Sequence, residues 1–360
     1  MSSTWGKNIR ISVFGESHGK AIGVTVDGLP AGTRIDTDKL EKEMARRAPR
    51  KTVGSTARTE ADKVIFLSGV LDNVLTGAPV CMMIENSNMH SGDYGNILTK
   101  PRPSHADYTG NLRYDGFNDI RGGGHFSGRL TAPLVAVGAI CKQILENDGV
   151  IIGSHILKIG KAEDESFDKC NISKEKLLEN SDFPFGVKNE KVREQYETEI
   201  EEARKNCDSI GGIIECAAVG LKAGIGSPMF DGLENRISSL TFGIPAVKGI
   251  EFGRGFEFAN LHGSECNDEM YYDEDGTVKT YTNNNGGILG GISNGMPIVY
   301  RVAIKPTASI FKEQKTVDLE AKENTLLTIK GRHDSCIAVR AVPVVEATCA
   351  IALLDAFLDK

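Results

Sequence analysis

Two apolar segments constrain the fold more than any other feature of the chain. The first, TAPLVAVGAICKQILEN at residues 131–147, has its apolar positions spaced as in a helix, and the second, VVEATCAIALLDAFLDK at 344–360, ends the chain in a similar way. A helix with so little polar surface lies in the interior of a protein. The sequence therefore predicts two buried helices.

The other regular segments are mostly strand-like. Alternating residues predict a strand, a turn and a second strand over residues 9–26, and further strands are predicted in KVIFLSGVL, APVCMMIEN, IIECAAVG, RISSLTFGIPAVKGIEFG and MPIVYRVAIKP. Two more helices are predicted, at 36–47 with Asp36 or Thr37 as N-cap and at the surface around 192–203. Antiparallel-style strands with a few long helices favour an α+β fold over a parallel doubly wound sheet. The lack of an obvious linker or short repeat predicts a single domain over residues 1–360.

Composition argues against several classes of protein. The formal net charge of −7 disfavours a general nucleic-acid or polyanion binder. The longest nearly apolar run, at 132–141, is about half of what a membrane span requires. The eight cysteines form no CxxC pair, which argues against zinc and against a disulfide framework. The N-terminus lacks the apolar core of a secretory signal, so we expect a cytoplasmic protein without a membrane or nucleic-acid partner.

Polar segments between these elements carry the candidate chemistry, namely FGESHG (14–19), RRAPRK (46–51), RPSHAD (102–107), RGGGHFSGR (121–129) and GRHDSC (331–336). Arginine suits carboxylates and phosphates, and imidazoles exchange protons near neutral pH, so together they predict a site for a small substrate with several negative groups. Each segment alone also has a structural explanation: a turn histidine, a solvated helix end, a plain hairpin, or Asp334 as a helix N-cap. Their joint occurrence favours function.

Six segments, in order, resemble the chorismate synthase family: FGESHG, RPSHAD, RGGGHFS, GGILGGIS (286–293), KPTAS (305–309) and GRHD followed by RAVP (340–343). The resemblance implies a layered β-α-β sandwich of antiparallel sheets around helices, assembled as a homotetramer. It also implies a lyase of the shikimate pathway to aromatic amino acids. Such enzymes use reduced flavin mononucleotide (FMN) in the 1,4-anti elimination of phosphate from 5-enolpyruvylshikimate 3-phosphate, which gives chorismate. We expect an external flavin reductase rather than an intrinsic NADPH-dependent activity, because the chain has no large insertion.

The same resemblance assigns roles to individual residues. His18 matches the acid that protonates the departing phosphate, and His105 matches the histidine beside the N1 to C2 edge of the flavin. Asp334 matches the residue that receives the C6 proton by way of the flavin N5. The expected substrate ligands are Ser17, Arg47, Arg102, Arg129 and Arg332. The expected flavin contacts are His125, Phe126, Ser127, Ala246, Gly290, Lys305, Pro306, Thr307, Ala308, Ser309 and Arg332, and no metal is expected.

The chain departs from the commoner family pattern in two places. In RGGGHFSGRL, His125 and Phe126 replace arginine and serine, and Leu130 replaces glutamate, whereas Arg129 is retained. Val53 occupies a position where many relatives have arginine, so it is not assigned to the site. Neither change removes a group that the elimination requires.

Two other functions are compatible with parts of this pattern. The arginine-rich loops could belong to a polyanion- or RNA-binding module, although the net charge and the lack of interleaved aromatic residues around 46–58 disfavour it. A catalytically silent homologue is the other alternative. The presence of His18, His105 and Asp334 together disfavours that one.

Overall fold

The structure, a computed structural model, describes residues 3–48, 62–86, 99–180, 184–187, 189–329 and 333–359. Arg332 and Val53 lie outside the described residues, as does the end of the arginine run after Ala48.

An antiparallel five-stranded sheet forms the first layer, in the order β1-β2-β3-β7-β4. Its strands are β1 Thr4–Trp5, β2 Arg10–Gly15, β3 Ala21–Asp27, β4 Ile65–Ser68 and β7 Val80–Glu85. A small hairpin, β5 Val70–Leu71 with β6 Val74–Leu75, projects from the connection between β4 and β7. Ile22, Val24 and Val26 alternate along β3 and are fully buried, so the inner face of this sheet contributes to the core.

A second antiparallel sheet has the order β11-β16-β10-β8-β9. Its strands are β8 Ile151–Ile159, β9 Ala162–Glu163, β10 Gly212–Val219, β11 Val247–Phe252 and β16 Ile298–Ile304. Three hairpins complete the strands: β12 Met270–Tyr272 with β13 Val278–Thr280, β14 Ile288–Leu289 with β15 Ile292–Ser293, and β17 Gln314–Asp318 with β18 Glu323–Leu327.

Helices fill the space between the two sheets. α3 Thr131–Asn147 packs against β3 and β7 of the first sheet, α8 Ala338–Phe357 packs against β8 and β10 of the second, and the two helices pack on each other. The remaining helices are α1 Thr37–Arg47, α2 Asp107–Arg113, α4 Lys174–Asn180, α5 Glu190–Lys205, α6 Leu233–Thr241 and α7 Gly263–Cys266. The predicted α+β sandwich is confirmed. The larger of the two core clusters among the described residues contains residues from both sheets, and the single-domain prediction stays a prediction.

A buried ionic network joins these helices. The fully buried Glu346 of α8 accepts hydrogen bonds from Arg46 of α1 (2.7 and 2.8 Å), from Lys142 of α3 (2.7 Å) and from the hydroxyl of Ser154 in β8 (2.8 Å). Burial alone would raise the pKa of Glu346, but Arg46 and Lys142 outweigh it and hold that pKa well below its usual range. The network therefore fixes α1, from which Arg47 points to the site, relative to α3 and α8.

α3 spans the helix predicted at 131–147, whereas α8 begins at Ala338, before the segment predicted at 344–360, and includes Pro343. α1 is capped by Asp36, which accepts from the amides of Asp38 and Lys39. By length and composition, Arg121–Asn147 could cross a membrane, but 83% of its most apolar window is buried in the fold, as in a core helix. The predicted surface helix at 192–203 is confirmed as part of α5.

One local prediction and one structural alternative are wrong. The segment RISSLTFGIPAVKGIEFG is a strand only in its second half, because RISSLT belongs to α6, where Leu233, Ile237 and Leu240 form one buried helical face. Asp334 is not a helix N-cap: α8 follows Ile337, which has no side-chain cap bond. In addition, α2 lies in a part of the chain where no helix is predicted.

Candidate active site

The FGESHG turn connects β2 to β3 and presents Ser17 and His18 to a large cavity. Asn86, at the end of β7, holds the turn by donating from Nδ2 to the carbonyl oxygens of Glu16 (3.1 Å) and Gly19 (2.8 Å). The Ser17 amide donates to the carbonyl of Gly124 (3.0 Å), which ties the turn to the glycine-rich loop. His18 is only 6% exposed, so its position is set by these neighbours.

The triple glycine brings two of the predicted histidines together. Gly122, Gly123 and Gly124 have φ angles of 60°, 87° and 53°, a left-handed conformation that favours glycine. A Cβ on Gly122 would overlap the His18 ring and lie 2.9 Å from Ser17 Oγ, and a Cβ on Gly123 would lie 3.3 Å from His105 Nε2. The loop backbone therefore packs directly on both imidazoles, which explains the glycine-rich sequence.

His105 is oriented by an acid that was not assigned from the sequence. Its Nδ1 lies 2.6 Å from Asp107 Oδ1 and 3.1 Å from Arg102 Nη2, whereas Nε2 faces the glycine loop and the cavity. Burial raises the pKa of Asp107, but hydrogen bonds from Arg102 and His105 outweigh that effect and hold it well below its usual range. Asp107 therefore stays ionised beside the His105 ring.

Arg102 is 5% exposed and is engaged mainly by the same carboxylate. Its Nε and Nη2 donate to the two oxygens of Asp107, each at 2.7 Å, and its Nη1 donates to Ser309 Oγ (3.2 Å). Arg102 lines the cavity, but this fork geometry makes it first of all a support for Asp107 and His105. Its role as a substrate ligand stays a prediction.

A buried carboxylate bridges two of the predicted substrate ligands. Asp62 accepts from Arg47 Nη1 through Oδ2 and from Arg129 Nη1 through Oδ1, both at 2.6 Å. Arg47 also donates to the Gly128 carbonyl (3.1 Å), and Arg129 Nε donates to Asn86 Oδ1 (2.8 Å). Burial and the nearby Arg340 and Arg129 outweigh the attraction of Asp62 and lower the pKa of Arg47 to about 10. The cluster therefore has an excess of positive charge.

Asp334 lies on the cavity wall beside another arginine. Its Oδ2 is 2.8 Å from Arg340 Nη1, and its backbone carbonyl accepts from Thr307 Oγ1 (2.9 Å). Asp62 and Arg340 are absent from the site predicted from sequence. Arg340 belongs to RAVP, one of the segments that carry the family resemblance, whereas no motif marks Asp62.

Most of the expected flavin contacts line the same cavity: Phe126, Ser127, Ala246, Lys305, Pro306, Thr307, Ala308 and Ser309. Lys305 donates to the Ser104 carbonyl (3.1 Å), and burial together with the charge of Lys248 lowers its pKa. His125 also borders the cavity, but its ring nitrogens contact the Gly15 carbonyl (2.7 Å) and Ser3 Oγ (2.8 Å). His125 thus braces the FGESHG turn.

Gly290 is the described candidate that does not line this cavity; it lies in the turn between β14 and β15. Its role as a flavin contact stays a prediction, as does that of Arg332, which lies outside the described residues. The cavity has a volume of about 930 Å³, near the upper end of the range for small-molecule sites, which is roughly 300–1,000 Å³. Its volume offers room for two small ligands, and its lining includes arginines, Lys305 and hydroxyl groups.

Comparison with known proteins identifies the family. The sequence model of the family described as chorismate synthase matches residues 9–358, nearly the whole chain. The chain belongs to the chorismate synthase family. It is 45% identical to the chorismate synthase of Thermococcus kodakarensis over 99% of this chain and 97% of that protein. It is 46% identical to the chorismate synthase of Methanosarcina barkeri over 99% of this chain and 96% of that protein.

A solved structure supports the same family. A crystal structure of a chorismate synthase superposes on the chain with a TM-score of 0.77 and 30% identity, covering 99% of this chain and 93% of the other. The chain is therefore an enzyme of the lyase class, and the chorismate synthase fold expected from the sequence is confirmed.

Proposed function

We propose that this cavity binds reduced FMN and 5-enolpyruvylshikimate 3-phosphate side by side, and that the chain eliminates phosphate there to give chorismate. The observation that carries the proposal is that His18, His105 and Asp334, which are distant in sequence, line one cavity together with Arg47 and other arginines. A binding module without chemistry would not require two imidazoles and a carboxylate around the same space.

Charge in the cavity supports an anionic substrate. Among the described side chains at one wall, Arg47, Arg129 and Arg340 face Asp62 and Asp334, which leaves a surplus of positive charge. The substrate carries two carboxylates and a phosphate, and burying each without a partner would cost several kcal/mol. Burial, together with the charges of Arg340 and Arg129, lowers the pKa of Arg47, and an anion bound beside it would stabilise its positive charge.

Other residues of the cavity lining fit a flavin. The flavin ring system would lie against Ala246, Pro306 and Ala308. The phosphate of FMN would pair with Lys305, whose positive charge lies near that of Lys248. When bound, reduced FMN supplies electron density to the substrate ring and recovers it, so the elimination has no net redox change.

The chain's own groups supply the proton transfers. His18 lies next to Ser17 and against the glycine loop, where it can donate a proton to the departing phosphate while Ser17 Oγ hydrogen-bonds to the substrate. Asp334 accepts the proton lost from C6. His105, whose Nδ1 is bonded to Asp107, directs Nε2 towards the cavity and helps to orient the ligands.

The test is turnover under anaerobic conditions. Purified protein with reduced FMN and the substrate should release phosphate and form chorismate in equal amounts, and omission of the flavin should abolish both. The absence of product from reduced FMN and substrate at high enzyme concentration would contradict the proposal.

We also propose a cytoplasmic homotetramer that depends on an external flavin reductase. Exposed aromatic side chains such as Phe117 (92%), Phe230 (84%) and Phe256 (83%) are candidates for contacts between copies. Light scattering tests the assembly. Incubation with NADPH and oxidised FMN alone tests the reductase, and reduction of the flavin would show that the chain carries this activity itself.

A further inference from the structure

Arg340 contacts two parts of the site at once. Its Nη1 donates to Asp334 Oδ2 (2.8 Å), and its Nε donates to the backbone carbonyl of Arg47 (3.2 Å). Its side chain borders the cavity and is 23% exposed, whereas that of Asp334 is 10% exposed. The arginine therefore links the carboxylate to the end of α1, which also carries the Arg47 side chain.

The place of Arg340 in its helix argues against a purely structural role. It is the third residue of α8, whose first turn contains no acid and whose N-cap has no side-chain bond. The positive end of the helix dipole disfavours a cation there, by roughly 0.3–1 kcal/mol at an exposed site. A residue that served only the helix would be neutral or acidic, so the ion pair with Asp334 is the feature that accounts for an arginine.

We propose that Arg340 is a positioning residue for the elimination, which holds the Asp334 carboxylate in a fixed orientation relative to Arg47. The inference rests on the proposed role of Asp334 as the acceptor of the C6 proton. Arg340 fixes one oxygen of that carboxylate and ties it to the backbone of α1. Proton transfer is steeply sensitive to such placement, since a shift of about 1 Å can cost roughly 100-fold in rate.

The test is a double-mutant cycle between Arg340→Met and Asp334→Asn, measured as anaerobic single turnovers. We expect Arg340→Met to lower the rate about 100-fold while the flavin and substrate dissociation constants change less than about threefold. In the Asp334→Asn background, Arg340→Met should change the residual rate less than about twofold, because the group it positions is gone. Arg340→Lys should recover part of the rate. A full additional loss in the double variant would overturn the proposal.

A second measurement applies if Arg340→Met does not fold or if Asp334→Asn leaves too little rate to measure. With substrate deuterated at C6, Arg340→Lys should show a larger primary isotope effect than the wild type, because proton transfer becomes more rate-limiting. A slower variant with an unchanged isotope effect would overturn the proposal, since some other step would then be affected.

Arg301→Met is the matched control. Arg301 has the same side-chain exposure, 23%, and pairs with Glu251 at 3.1 Å on the second sheet, away from the cavity lining. Arg301→Met should leave turnover unchanged.

The two proposals fail differently. A fully active Asp334→Asn variant contradicts the role of Asp334 itself. An impaired Asp334→Asn variant together with a fully active Arg340→Met variant contradicts only the inference about Arg340.

Discussion

Replacing Gly122 with alanine should displace His18 and slow the elimination. Gly122 has a φ of 60°, and a Cβ there would overlap Nδ1 and Cε1 of the His18 ring. The left-handed backbone costs about 1–2 kcal/mol for a residue with a Cβ, and overpacking costs typically about 1–3 kcal/mol. We therefore expect Gly122→Ala to lower the free energy of unfolding by about 2–5 kcal/mol.

The effect on rate follows from the same overlap. To reach ordinary contact the His18 ring would have to retreat by roughly 1 Å, a displacement that can lower a rate about 100-fold. The measurement is phosphate release in anaerobic single turnovers, with urea unfolding measured on the same preparations. Flavin affinity should change little, because the substitution is aimed at His18 and Ser17 rather than at Lys305 and its neighbours.

Gly276→Ala separates strain from steric overlap. Gly276 has a φ of 81°, but a Cβ there would meet nothing within 4 Å. Gly276→Ala should lower the free energy of unfolding only by the backbone strain, about 1–2 kcal/mol, and leave turnover unchanged. If Gly122→Ala loses no more stability than Gly276→Ala and keeps its rate, the account of how the glycine loop positions His18 is refuted.

Three further outcomes are expected. His18→Ala should slow phosphate release about 100-fold or more in single turnovers, the usual contribution of an acid, and an unchanged rate would remove that role. Asp62→Asn should raise the substrate KM at least about tenfold with little change in flavin affinity, because Arg47 and Arg129 lose the carboxylate that holds both of them in place. An unchanged KM would contradict this. Stability should fall as the pH is lowered below about 4, because carboxylates such as Asp107 and Glu346 have folded pKa values below their unfolded ones and bind more protons when unfolded. Urea unfolding between pH 3 and 6 checks this, and a flat profile would contradict it.

The parts of the fold that are predictable from sequence are those with strong periodicity. The helix at 131–147 and the strands β2 and β3 have clear apolar patterns, and their bounds agree with the prediction. The sequence predicts a strand where α6 lies because RISSLTF is short and rich in residues that occur in both elements. Only the packing of α6 against α8 shows that its buried residues lie on one face of a helix.

The site could be predicted as a set of motifs but not as a network of contacts. The resemblance identifies His18, His105 and Asp334, and the structure brings them to one cavity. Nothing in the sequence shows that Asp62 bridges Arg47 and Arg129, or that Arg340 pairs with Asp334. Such pairings depend on long-range packing that local patterns do not encode. The same holds for His125, which braces the FGESHG turn through the Gly15 carbonyl.

A crystal structure of the chain with oxidised FMN and substrate bound tests the central claim most directly. The account predicts that the carboxylates and phosphate of the substrate contact Arg47, Arg129 and Ser17, that the flavin lies against Ala246 and the segment 305–309, and that His18 and Asp334 lie on opposite sides of the substrate ring. Ligands bound outside this cavity, or a substrate whose departing phosphate lies far from His18, would contradict it.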